Sequence, residues 1–275
     1  MKLLTKLLVL TGTTLFAGGV LAAESALKPL MLVPDKAIFT DDFSKPRAEL
    51  KVKKTDTSEA WIPNQGTRWE VADGVLRGRA SSAEYQASHE THKGVHPRIV
   101  LSKTPESYVL KFSMRIVDGT PFDADKRRSV PPFVEIGHHI ARITWGKAGA
   151  MLLADGDTLQ LAGDKDFKLV PGKWYDVMVE RRADEVVVQF AGGPRFHGKH
   201  PSYISDKHAV MLGGLEAGTM EVDNATVWSI KDGVQSGWEK TLANFPAPQD
   251  VRIKEPKKPE ADPAAANPAP KKKTK

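Results

Sequence analysis

A chain of 275 residues is long enough for one large sandwich-type domain or two small ones, and a 40% hydrophobic content with six Trp and ten Phe supplies an ordinary apolar core. With no cysteine, disulfides, thiolate metal sites and a cysteine nucleophile are excluded. The formal charge of +6 sits at the ends, as two lysines without an acid in residues 1–22 and eight basic against four acidic residues in 246–275, so the stretch between lacks the basic footprint of a nucleic-acid binder.

The opening MKLLTKLLVLTGTTLFAGGVLAAES sets Lys2 and Lys6 before an apolar stretch and ends in small residues around Ala22 and Ala23. That is the layout of a signal peptide over residues 1–22, and it predicts export to the periplasm or beyond. No later apolar run is long enough for a transmembrane segment in the mature form. Strand patterns then dominate residues 37–231, expected to be one β-sandwich domain. WEVADGVLRGRA places Asp73-Gly74 between two short apolar runs, a strong hairpin signal. SHETHKGVHPRIV carries His89, His92 and His96, but Gly94 and Pro97 predict a loop covering one end of a binding surface, and no known zinc spacing supports a metal site. In YVLKFSMRIVDG, Tyr108, Leu110, Phe112, Met114 and Ile116 share one face, with Lys111, Ser113 and Arg115 on the other. Asp118, Asp123 and Asp125 in VDGTPFDAD form the best local set of oxygen ligands for calcium, the one metal considered; otherwise no cofactor is expected.

VEIGHHIARITW is irregular. Val134, Ile136 and Ile140 are even and apolar, whereas Ile143 and Trp145 are odd and apolar. Either Gly137 permits a bulge or two separate strands meet there, and both readings make Gly137-His138-His139 an interruption able to re-aim side chains. Further on, KWYDVMVERRADEVVVQFAGG reads as two strands around Ala183-Asp184, with Tyr175, Val177 and Val179 inward and Asp176 and Glu180 outward. Gly192-Gly193 and Gly213-Gly214 read as turns, and HAVMLGGLEAG and MEVDNATVWSI as two more strands. VQSGWEKTLANF predicts a short helix in an extension over 232–247 that packs Trp238 or Leu242 on the sandwich edge. The Pro/Ala/Lys-rich tail over 248–275 should be disordered, and its basic run Lys271 to Lys273 suits contact with an acidic envelope polymer.

Many short strands without helical crossovers predict an all-β fold, a two-sheet antiparallel jelly-roll sandwich with a short C-terminal helix. The segments IFTDDFS, WEVADGVLRG, YVLKFSMRI, PGKWYDVMVERRADEVVVQFAG and MEVDNATVWSI, within about residues 38–230, carry a resemblance to secreted bacterial concanavalin A-like, laminin-G-type domains. More closely, the chain resembles the 3-keto-disaccharide hydrolase domain family. The resemblance implies a sheet bent into a shallow trough that takes a carbohydrate ligand.

The Glu-x-Asp-x-x-Glu run of laminarinase-type glucanases does not occur; Glu221 and Asp223 are the nearest approach to a paired set of carboxyls, and GxSxG is absent. Two functions stay open, a glycan-binding module and a sugar-active hydrolase of the 3-keto-disaccharide type. No catalytic residue is assigned. Outward strand positions and the parity break select Arg115, Glu135, His138, His139, Arg142 and Trp145 as ligand-binding candidates, with Trp145 as a stacking plate for a sugar ring.

Overall fold

The computed structural model describes residues 27–50, 59–120 and 131–253. The expected signal peptide, Asp123, Asp125 and the tail beyond residue 253 lie outside the described residues.

Among the described residues, alternating apolar positions form two eight-stranded antiparallel sheets. The first sheet contains β1 (Pro34–Asp41), β3 (Arg68–Ala72), β4 (Val75–Arg79), β6 (Tyr108–Ile116), β11 (Trp174–Arg182), β12 (Glu185–Phe190), β13 (Arg195–Lys199) and β15 (Thr219–Ile230). The second contains β2 (Trp61–Pro63), β5 (Arg98–Leu101), β7 (Phe133–Ile136), β8 (Ala141–Gly146), β9 (Gly149–Ala154), β10 (Leu159–Asp164), β14 (Val210–Gly213) and β16 (Val251–Arg252). Two short α-helices, α1 (Ala83–Ser88) and α2 (Trp238–Leu242), and a 3-10 turn at Pro201–Tyr203 complete the regular structure among the described residues. This is the two-sheet antiparallel jelly-roll sandwich with a short C-terminal helix that the strand pattern predicts. No helix among the described residues is long and apolar enough to cross a membrane.

Strand parity explains the core. The inward rows of β6 (Tyr108, Leu110, Phe112, Met114, Ile116) and β11 (Tyr175, Val177, Val179) are all buried in one cluster between the sheets. Asp73 and Gly74 both take positive φ (55° and 76°), as the tight β3–β4 turn requires. In β15, Asn224 adopts φ 51° where the register with β6 shifts between Asp223 and Thr226, so the Asp-Asn pair marks a bulge in the last long strand.

The outer face of the first sheet holds a second apolar cluster that strand periodicity did not reveal. Val109, Met178 and Val187 point outward and are covered by Met31 and Leu32 from the N-terminal strap and by Trp238 of α2. The helix lies toward the β13 side, with Trp238 5.8 Å from His197. Glu180, expected in a polar row facing solvent, is instead fully buried under the strap, where its carboxylate accepts the backbone N–H groups of Leu30, Met31 and Leu32 at 2.7–2.8 Å. Burial pushes this carboxyl upward while the three amides pull it down.

Two expectations are corrected here. Disorder does not begin at Pro248, because Gln249 N–H donates to Leu161 O at 2.9 Å and β16 pairs with β10. An open sheet edge accepts a passing chain through its backbone groups, whatever that chain's side chains. Gly213 is not a turn residue but part of β14, and a Cβ there would sit 2.2 Å from the Phe133 ring. The close approach of an aromatic ring is the reason for glycine.

The strap generates a stability prediction. Glu180→Ala strands three amide donors and is expected to cost about 3 kcal/mol in urea denaturation, with faster proteolysis within residues 27–33. A loss below ~0.5 kcal/mol would mean that apolar burial alone holds the strap.

Candidate functional site

The interruption in VEIGHHIARITW is a hairpin. β7 and β8 pair as Phe133↔Thr144, Val134↔Ile143, Glu135↔Arg142 and Ile136↔Ala141. The connection turns through positive φ at Gly137 (61°) and His139 (62°). A Cβ on Gly137 would lie 2.5 Å from the carbonyl oxygen of Lys207, so this turn needs glycine for space as well as for conformation. Passing through the turn reverses which parity faces inward. Val134 and Ile136 enter the core from β7, and Ala141, Ile143 and Trp145 enter it from β8.

Four of the six candidates therefore meet on the outer face of the second sheet. Glu135 is almost completely buried there. Its Oε1 accepts the His139 backbone N–H at 3.0 Å and lies 3.0 Å from His138 Nδ1. Its Oε2 accepts from Arg142 Nε at 3.0 Å and also from Arg142 Nη2. Arg142 Nη1 reaches Asp157 Oδ2 at 2.7 Å, and the His138 and His139 rings lie 3.9 Å apart in solvent. Burial alone would raise the Glu135 carboxyl, but the Arg142 charge and the hydrogen bonds outweigh it and hold the carboxyl below its ordinary value of 4.5. Asp157 is shifted the other way, raised by burial and by the Glu135 charge against the pull of Arg142.

The other two candidates are elsewhere. Trp145 is not a stacking plate: it is fully buried in the core, 5.3 Å from the Phe190 ring, because β8 parity counts from the hairpin and not from β7. Arg115 belongs to the first sheet, where its Nε donates to Glu221 Oε2 at 2.8 Å and its guanidinium lies 4.7 Å from the Trp174 ring centre. Glu221 also accepts from Arg77 Nε at 2.9 Å, so it is committed to two arginines and is no catalytic partner for Asp223. Asp118 accepts the Thr219 N–H at 2.6 Å and acts as a turn residue; the other two calcium candidates are outside the described residues.

Phe133 and Arg98 were missed by pattern reading, and His96, weighed there only with the histidine-rich loop, joins them. Phe133 points outward and is buried beneath two guanidinium groups, with Arg98 at 5.4 Å and Arg142 at 4.9 Å from its ring centre. Arg98 Nε donates to His96 Nε2 at 2.5 Å. Burial, followed by the nearby Arg98 and Arg142 charges, drives His96 down to about 3, so its imidazole is neutral and free to accept. Among the described residues, neither terminal nitrogen of Arg98 has a hydrogen-bond partner. Outward parity in the HPRIV segment, with Ile99 and Leu101 inward, was the signal available for Arg98.

A groove of about 720 Å³ opens beside Arg98, between Tyr85 and His92 on one side and Gly137-His138 on the other, over Val100 and Met211. Tyr85 is carried by α1, capped by Ser82, and its ring stacks on His89 at 3.9 Å. The histidine-rich loop thus contributes His92 to the groove, while His96 lies buried beneath. Among the described residues, His89, His92 and His96 form no metal-sized cluster. Glu135, His138 and His139 do place ligand atoms within 4.8 Å of one another, although the carboxylate oxygens are already taken up by protein donors.

No family model matches this chain, and no curated protein does. Solved structures similar to it include a LamA variant from Z. galactanivorans in complex with laminaritriose and laminaritetraose, at 12% identity and TM-score 0.49, covering 72% of this chain and 100% of that one. A second is carbohydrate binding module CBM66 from Bacillus subtilis, at 14% identity and TM-score 0.41, covering 62% and 96%. A third is SCLam, a non-specific endo-beta-1,3(4)-glucanase from family GH16, at 12% identity and TM-score 0.45, covering 74% and 97%.

Because the Glu135 carboxyl is held below 4.5, its contribution to stability is present above that pH and disappears as pH falls through the lowered value. Glu135→Gln should therefore flatten the acid limb of the urea-denaturation profile. Arg142→Ala leaves a buried carboxylate unpaired and is expected to cost about 3 kcal/mol at pH 7. An unchanged acid limb together with a neutral Arg142→Ala would show that the pair contributes nothing.

Proposed function

We propose that this is an exported carbohydrate-binding β-sandwich protein whose saccharide occupies the groove over the outer face of the second sheet. The observation that carries this reading is Arg98, which is partly buried and held by His96 and Phe133, with both terminal nitrogens unpaired among the described residues at the wall of the groove. Around it lie the Asn64 and Gln65 amides, the Tyr85 ring and hydroxyl, two imidazoles, and the apolar surface of Ile62, Val100 and Met211. Sugar rings present hydroxyls at their edges and C–H groups on their faces, and such a mixed lining serves both. Binding without turnover is favoured by the state of Glu135: all its acceptor capacity is used by Arg142, His138 and the His139 amide, so it has none left for a proton or a nucleophilic role.

The hydrolytic alternative rests on Asp157, a carboxyl raised by burial and 3.9 Å from His139 Nδ1. A glycan array combined with mass-spectrometric product detection separates the two. Saturable binding with no product is expected, and His138→Ala or Tyr85→Ala should weaken binding about tenfold, the worth of one or two lost hydrogen bonds. Product formation that stops in Asp157→Asn would establish the hydrolase instead.

A further inference from the structure

Arg98 is the one Lys, Arg, Asp or Glu among the described residues lining the groove. Arg98, His92 and His138 line it, and no acidic side chain is among its described lining residues. The nearest carboxylate, Glu135, is neutralised by Arg142, and Asp157 shares that same arginine. Arg98 itself makes no ion pair with a described carboxylate, although the Glu135 charge acts on it from farther off.

Its geometry is restrictive as well. The donation from Nε to His96 and the seat on the Phe133 ring fix the guanidinium on the side away from the groove. The two remaining N–H edges form a pre-set fork, and holding it in place removes much of the entropy cost of binding. A planar carboxylate matches two parallel N–H donors better than a sugar hydroxyl, which uses only one. Burial also opposes the Arg98 charge, so an anion that reaches it recovers lost solvation.

From this arrangement we infer that the saccharide taken by the groove carries a carboxylate, as uronic acids do, and that the carboxylate pairs with the terminal nitrogens of Arg98. This rests on the glycan-binding reading and adds the chemical class of the ligand. His92 and His138, on opposite sides of the groove, hold hydroxyls of the same or the adjacent ring.

The test is isothermal titration calorimetry of the full chain with oligouronates of several backbones, each as the free acid and as its methyl ester, together with the neutral parent oligosaccharides and sulfated neutral ones. At least one free acid should bind, and its methyl ester about tenfold or more weaker, since a charge-assisted fork is worth more than one such factor. Arg98→Lys keeps the charge but loses the fork and should erase most of that difference. The ester comparison uses the unaltered protein and holds even if an Arg98 variant folds poorly. Equal binding of acid, ester and neutral parent would overturn the carboxylate assignment and leave glycan binding standing. Binding of sulfated sugars with none of the uronates would overturn it in favour of a tetrahedral anion. No binding by any probe would remove both the assignment and the glycan-binding reading.

Discussion

A carboxylate taken out of water has to be met by donors at nearly every lone pair, and Glu135 shows how much local structure follows from that demand. Its position on β7 points it out of the sandwich into a place where solvent does not reach. The partners that answer it are Arg142 from the facing strand, the His139 amide and the His138 ring. To deliver that amide the chain must turn through left-handed backbone at Gly137 and His139, which makes the hairpin tight and throws both imidazoles into solvent. Arg142, fixed by Glu135, then covers Phe133, and Phe133 in turn seats Arg98. The groove's main cation is thus positioned through a chain of contacts that begins at a buried anion.

The same device recurs on the first sheet. Glu180 is buried by the strap whose amides it accepts, and Glu221 is clasped by Arg77 and Arg115. Arg181 shows the converse, a fully buried cation whose terminal nitrogens donate to the carbonyls of Tyr203, Ser205 and Lys207 and meet His208, fastening that stretch of chain, while its Nε is buried without a hydrogen-bond partner among the described residues. Glu221 ties neighbouring strands together, whereas Glu180 and Arg181 each hold a segment outside the sheets. Such segments have little apolar surface of their own, and directional bonds to a charge give them a defined place that burial alone would not.

Division of labour between the faces follows. The first sheet has part of its outer surface covered by Met31, Leu32 and Trp238, and polar groups such as Glu221 and Asp176 are used in internal pairs. The second sheet keeps an outer surface on which the terminal nitrogens of a cation have no partner among the described residues. An unpaired, half-buried guanidinium is costly in isolation, and such costs gather where a ligand is to be received.

Strand periodicity was enough to establish the sandwich, the buried rows of β6 and β11 and the Asp73-Gly74 turn, because a period of two is imposed by the backbone itself and needs no knowledge of partners. It also marked Gly137-His138-His139 as an interruption and brought out Glu135, His138, His139 and Arg142. Trp145 was misplaced because parity cannot be carried through a turn, and the residues that reverse it look the same as a bulge in one dimension. Arg115 was grouped with the wrong sheet because alternation says which face a side chain is on but not which of two sheets owns it. Arg98 and Phe133 went unselected for a related reason: each is an unremarkable residue until β5, β14 and β7 are laid side by side. Composition and local pattern determine the class of fold. Which charges are neutralised and which remain unpaired is decided by residues distant in sequence, and only tertiary packing brings them within hydrogen-bond range.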